Sequence, residues 1–150
     1  HLFLDNDLAE GRYRVDGHRV AISDIRVPTF LVGTERDHVA PWRSVYKFGL
    51  LSDTDVTFVL TNGGHNAGIV SELGHPHRHY RMQSMRMNAE PMAAAETIAA
   101  ADTIEGSWWP ALTKWLEGKS GALRKPPKMG APSKGYAALC NAPGTYVFID

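Results

Sequence analysis

The apolar positions of the chain cluster around two short runs with a helical pattern between them. Thr29-Phe30-Leu31-Val32-Gly33 is too short for a helix and is stopped by glycine, so it predicts a buried parallel strand. Pro28 stands at its start, where a missing N–H is tolerated. Behind Pro41, which suits the first turn of a helix, Trp42, Val45, Tyr46, Gly49 and Leu50 recur at helical spacing. Asp55 to Leu60 is β-branched and apolar and predicts a second strand. Strand, helix and strand within about 30 residues make a βαβ unit with a right-handed crossover. The fold class expected is therefore α/β, with parallel strands flanked by helices.

The flanks are read from turn and cap signals. His1 to Gly11 reads as the end of a helix with Gly11 as its stop. Asp16-Gly17 between Arg12-Tyr13-Arg14-Val15 and His18-Arg19-Val20-Ala21-Ile22 predicts a hairpin. Glu72 to Met87, rich in His, Arg and Met, shows no clear period and is expected to be an irregular loop with at most one short strand. Pro91 to Ala101 is alanine-rich and predicts a helix. A better-defined helix follows: Ser107 can cap it, Pro110 lies in its first turn and Gly118 stops it. Its face of Trp108, Leu112, Trp115 and Leu116 is expected to pack on the sheet near the helix of Trp42 to Leu50. From Lys119 on, Gly, Pro and Lys dominate, and only Gly144 to Ile149 looks capable of a strand. The organisation expected is a lead-in over 1–24, a core over 25–118 and a tail over 119–150.

Composition narrows the function classes. At 150 residues the chain is long enough for one domain with a core of its own. Sixteen basic residues balance sixteen acidic ones, so there is no electrostatic case for nucleic acid. No apolar run approaches the roughly 20 residues of a membrane span. A single cysteine excludes an internal disulfide and suits a cytosolic protein. Because the chain starts at His1 in what reads as the end of a helix, it is expected to be the C-terminal fragment of a longer protein.

The candidate chemistry sits just past the two strands. Parallel strands leave the sheet at the same edge, about 4.8 Å apart. Asp37 and His65, on the loops beyond them, can therefore meet at the carboxyl end of the sheet, where such folds place their sites. An acid followed by a histidine is the second half of a nucleophile–acid–histidine triad in the hydrolase order. Asp37 has a rival reading as a loop residue capping the helix behind Pro41, and His65 as a loop histidine bonded to backbone. The nucleophile is missing: no Gly-x-Ser/Cys-x-Gly elbow is present, and Cys140, near the C-terminus, lies in no such turn. His75, His77 and His79 alternate, but without cysteine or a clear acidic partner they read as part of a solvated basic loop with Arg78 and Arg81 rather than a metal site. Trp108, Trp109 and Trp115 read as helix packing, and Lys119, Arg124, Lys125, Lys128 and Lys134 as a solvated tail.

These blocks resemble the polyhydroxyalkanoate synthases, also called poly-3-hydroxybutyrate polymerases. The matching pieces are Gly33-Thr34-Glu35-Arg36-Asp37-His38-Val39-Ala40-Pro41-Trp42, Gly64-His65-Asn66-Ala67-Gly68 and Gly106-Ser107-Trp108-Trp109-Pro110 with Trp115-Leu116. Asn6-Asp7-Leu8-Ala9 and Val15-Asp16-Gly17 are similar to that family's return from its cap region, and Ala142 to Val147 to its C-terminus. The resemblance implies the C-terminal part of an α/β-hydrolase catalytic core. It implies an acyltransferase that polymerises (R)-3-hydroxyacyl groups from coenzyme A thioesters by a Cys-Asp-His triad, whose cysteine lies upstream. Asp37 and His65 match its catalytic acid and histidine, and His38 falls where the family has a supporting histidine. No cofactor and no metal are implied, coenzyme A thioester being the substrate. The implied setting is a homodimer at the surface of cytoplasmic polyester granules, with no transmembrane segment. Lacking the nucleophile, the chain alone is expected to be inactive. The histidine-rich segment Ser71 to Tyr80 departs from the family pattern.

Two other functions compete. One is an α/β-hydrolase esterase or depolymerase, with serine at the elbow and water as acceptor. The other is a non-catalytic granule-associated module, which would have no nucleophile upstream.

Overall fold

The computed structural model describes residues 1–85, 96, 98 and 100–149. The chain separates into two compact units, His1–Gly118 and Lys119–Asp150. The first unit is built on a four-stranded sheet in the order β3-β4-β5-β6, comprising β3 (Thr29–Thr34), β4 (Val56–Thr61), β5 (His79–Met85) and β6 (Ile104–Glu105). A separate hairpin, β1 (Arg14–Val15) with β2 (His18–Arg19), precedes it. Asp16 and Gly17 turn that hairpin with φ of 48° and 80°, the conformation an Asp-Gly turn of this kind requires.

β3 and β4 pair in parallel, Thr29 opposite Val56 through Thr34 opposite Thr61, as the two apolar runs predict. Between them the helical segment forms as two short pieces, α1 (Trp42–Tyr46) and α2 (Phe48–Leu51), with Pro41 as the cap of the first. Gly49 weakens helix propensity here. Its missing side chain also makes room for Met85, since an added Cβ would lie 2.8 Å from the Met85 methyl.

Several expectations are corrected. His1 to Gly11 forms turns rather than the end of a helix, although Gly11 has a φ of 64°. The segment expected to be an irregular loop contains the seven-residue β5, which pairs antiparallel with β4, Val56 opposite Met85 through Thr61 opposite Tyr80. β6 is antiparallel to β5, so the sheet is mixed rather than parallel. The chain returns from β4 to β5 through a loop that stays at the same edge, and a strand reached that way must run backwards. Gly144 to Ile149 has no partner strand among the described residues and holds a 3₁₀ turn at Tyr146–Phe148. The helix expected over Pro91 to Ala101 lies mostly outside the described residues; of these, Glu96, Ile98 and Ala100 are helical.

Side chains alternate across the strands and give the sheet two buried faces. Phe58 and Leu60 face a cluster with Tyr46 and Ile98, joined by Leu31, Trp42 and Val45. Val59 and Tyr80 face Trp108, joined by Phe30, Val32, Ala111 and Leu112. Helix α3 (Trp109–Glu117) therefore covers the face opposite α1, not the neighbourhood of Trp42 to Leu50. Trp115 packs edge-on against Phe30 at 5.5 Å between ring centres, while Leu116 is half exposed. Among the described residues no helix is long and apolar enough to cross a membrane. The second unit, taken by itself, carries a bridge between Ala131 and Tyr136 and an exposed Cys140.

Candidate functional site

The parallel ladder does not stop at the strand ends. The Glu35 N–H donates to the Thr61 carbonyl at 3.0 Å, and the Arg36 N–H to the Gly63 carbonyl at 3.0 Å. The acid loop and the histidine loop are thus stitched together for two residues past β3 and β4. Gly63, at a φ of 110°, then turns the second chain toward the first, a conformation that favours glycine.

This brings Asp37 and His65 into contact. His65 Nδ1 lies 2.9 Å from Asp37 Oδ2. The other carboxylate oxygen, Oδ1, accepts the N–H groups of Val39 at 2.9 Å and Ala40 at 2.8 Å. One oxygen folds the turn ahead of α1 and the other holds the histidine; α1 itself has no side-chain cap, so the helix-capping reading of Asp37 is not met. The Asp37 side chain is 8% exposed, whereas that of His65 is 47% exposed. The Ala40 N–H holds the Asp37 carboxyl below its ordinary value of 3.8; burial opposes this, and His65 and the Val39 N–H reinforce it. An ionised carboxylate only accepts, so Nδ1 must carry the bridging proton, and in the neutral tautomer of the ring Nε2 then has the lone pair.

The loop bearing His65 is tied down on several sides. Asn62 donates through its amide to the His77 carbonyl at 2.7 Å and accepts the His79 N–H at 3.2 Å. Gly68 is pressed against Thr34, the last residue of β3. The Arg78 guanidinium lies against Gly63, and its Nε is buried without a partner among the described residues. On the far side, the side chains of Ser107, Trp108 and Trp109 reach carbonyls of Ser71, Gly68 and Ile69.

Other candidates are not drawn into this arrangement. His38 is exposed and makes no hydrogen bond or ion pair with the described residues. His75 and His79 go separate ways: His75 Nδ1 meets the Pro76 carbonyl and its Nε2 meets Arg78, while His79 Nε2 stands 4.0 Å from Glu35. Their segment is a largely exposed connection whose last residue, His79, begins β5. His1, Asp5 and Asp7 are close enough together to hold a metal ion, but Asp7 is already paired with Arg12 at 2.9 Å. The sequence reading missed Thr34, Asn62 and Arg78. It marked Trp108 and Trp109 for packing alone, although a buried indole N–H demands a partner.

No protein-family model matches the chain. Curated relatives do match it. It is 34% identical over 148 residues to the poly(3-hydroxyalkanoate) polymerase subunit PhaC of Cupriavidus necator, covering 98% of this chain and 24% of that protein. It is 35% identical to the poly(3-hydroxyalkanoate) polymerase of Methylorubrum extorquens, covering 97% and 23%. It is also 35% identical to poly(3-hydroxyalkanoate) polymerase 2 of Ectopseudomonas oleovorans, covering 89% and 23%. The chain spans about a quarter of the length of these relatives. Over nearly its whole length the chain is similar to the C-terminal region of poly(3-hydroxyalkanoate) polymerases.

Proposed function

We propose that this chain supplies the acid and the histidine of a Cys-Asp-His acyltransferase that polymerises (R)-3-hydroxyacyl groups from coenzyme A thioesters. The observation that carries the reading is the 2.9 Å contact between Asp37 Oδ2 and His65 Nδ1 at the carboxyl edge of the parallel pair. Relatives named as poly(3-hydroxyalkanoate) polymerases favour polymer synthesis over ester hydrolysis. In this reading the sheet is the C-terminal part of an α/β-hydrolase core over 25–118, entered from a cap region over 1–24 and followed by a tail over 119–150. The cysteine lies upstream, coenzyme A thioester is substrate rather than cofactor, and the polymerase works as a homodimer at the surface of cytoplasmic polyester granules.

The chemistry follows from the tautomer. In the neutral ring, His65 Nε2 takes the proton of the cysteine thiol. The thiolate attacks the thioester carbonyl, the carbon–sulfur bond to coenzyme A breaks, and an acyl-cysteine remains. Protonated His65 returns its proton to the departing coenzyme A thiolate. In the second half, Nε2 takes the proton of a 3-hydroxyl group, whose oxygen attacks the acyl-cysteine; the carbon–sulfur bond breaks, the ester forms, and protonated His65 returns its proton to the departing cysteine thiolate. Asp37 steadies the imidazolium in both halves. Its two oxygens are occupied by three donors, which supports an orienting role over direct proton abstraction from the hydroxyl.

The test replaces the corresponding C-terminal region of the Cupriavidus necator polymerase with this chain. The chimera should release coenzyme A from (R)-3-hydroxybutyryl-coenzyme A and form polyester, and the His65→Gln chimera should do neither. The 150-residue chain alone should release no coenzyme A. A folded chimera that kept its rate with His65→Gln would overturn the assignment, and one that gave free hydroxy acid without polymer would point to a hydrolase.

A further inference from the structure

The histidine loop carries a run of carbonyls that no strand or helix pairs. Gly68 is buried, and a buried carbonyl left without a donor is destabilising. The donors come from three consecutive side chains ahead of and at the start of α3. Ser107 Oγ donates to the Ser71 carbonyl, Trp108 Nε1 to the Gly68 carbonyl at 3.0 Å, and Trp109 Nε1 to the Ile69 carbonyl at 3.0 Å. Ser107 Oγ also accepts the Trp109 N–H at 3.1 Å, which aligns the hydroxyl with the first turn of the helix. Packing alone would not require this chemistry: an apolar ring could pack beneath the loop but would donate nothing.

The clamp reaches His65 through few bonds. The Gly68 N–H donates to the Gly64 carbonyl at 3.0 Å, and the Val70 N–H to the Asn66 carbonyl at 2.9 Å. Gly64 and Asn66 are the two neighbours of His65 in the chain. At its other end the loop is fixed where Arg36 bonds Gly63. His65 itself is half exposed, and among the described residues its ring has a single hydrogen bond, to Asp37. Its placement is therefore set by the backbone on either side of it. We propose that Ser107, Trp108 and Trp109 are positioning residues, which hold the histidine loop so that His65 Nδ1 stays on Asp37. That this matters for acyl transfer rests on the function proposed above; the geometric claim does not.

The test reads the imidazole rather than turnover, so its failure is separable from failure of the catalytic reading. In the ¹⁵N-labelled 150-residue chain, nuclear magnetic resonance of the His65 ring reports which nitrogen carries the proton and how fast that proton exchanges with water. Ser107→Ala and Trp109→Phe each remove one donor, and because Trp109 is 37% exposed the smaller ring loses little buried volume. Each should mix the two tautomers and speed exchange of the bridging proton by about tenfold, the effect of losing roughly one net hydrogen bond. Ser107→Thr, which keeps the hydroxyl, should restore the wild-type signal. Leu112→Ala loses packing on the same helix but no bond to the loop, and should lower Tm without moving the His65 signals. Unchanged His65 signals in folded Ser107→Ala and Trp109→Phe, or an equal change in Leu112→Ala, would overturn the proposal.

Discussion

Gly68 lies so close to Thr34 that a Cβ built on it would stand 2.5 Å from the threonine Cγ2. Thr34 ends the strand that leads to Asp37, and Gly68 follows His65 in the opposing loop. The two halves of the site are thus in direct contact behind the Asp37–His65 pair, with no space for one methyl group. Gly68→Ala should force the loop outward and cost about 1–3 kcal/mol. Adding Thr34→Ser removes the obstructing methyl and should recover part of that loss, the Asn62 carbonyl at 3.0 Å retaining the rest. Thermal melts of the four species make a double-mutant cycle, and strict additivity would show that the contact is not the cause.

Acid sensitivity follows from the depressed titration of Asp37. A carboxyl held below its ordinary 3.8 in the folded state stabilises the fold above that value. The contribution is lost as pH falls through the lower folded value, where the folded protein also takes up the proton. Asp37→Asn removes the ionisation. The stability difference between wild type and variant should hold steady above about pH 5 and shrink below 3.8. Urea titrations at a series of pH values measure it; a difference that grew toward low pH would contradict the sign.

The two adjacent tryptophans should separate sharply in stability. Trp108 is 6% exposed and packs with Phe30 and Val59, whereas Trp109 is 37% exposed. Trp108→Ala should cost about 3–5 kcal/mol, combining a cavity with a lost indole bond. Trp109→Ala should cost clearly less. Denaturant midpoints of the 150-residue chain decide the point, and equal losses would mean that the core beneath α3 is misdescribed.

What the sequence made legible was governed by local rules. Asp16 and Gly17 announced their turn because few other residue pairs accept two positive φ values. Asp37 and His65 could be paired in advance because a βαβ unit delivers both strand ends to one edge. β5 was hidden: its His, Arg, Gln and Ser residues lack a clear apolar period, and its pairing with β4, Gln83 opposite Phe58, is a non-local fact. The face taken by α3 was equally invisible, since helical spacing fixes which side of a helix is buried but not which side of the sheet receives it. Tyr146 to Phe148 had strand-forming residues but pairs with no strand among the described residues. Ser107, Trp108 and Trp109 showed their donors in the sequence, but the carbonyls that receive them lie some 40 positions away.

The sharpest test concerns the amide that replaces Asp37 in Asp37→Asn. Val39 and Ala40 both aim N–H groups at Oδ1, so the asparagine oxygen must take that position. Its NH₂ then occupies the place of Oδ2 and faces His65 Nδ1, 2.9 Å away in the wild type. A donor there requires Nδ1 to accept, which moves the ring proton to Nε2. The variant should therefore keep its fold and carry His65 in the opposite tautomer, visible in the ring ¹⁵N shifts of the 150-residue chain. In the chimeric polymerase the same exchange leaves Nε2 unable to take a proton from either the thiol or the hydroxyl. Acylation and elongation should then fall by similar factors, on the order of 10²–10⁴, the range of general-base assistance. The two are separated by timing coenzyme A release in the first turnover against later ones. A variant that kept the proton on Nδ1 would refute the orientation argument. A loss confined to elongation would instead make Asp37 itself the base for the incoming hydroxyl.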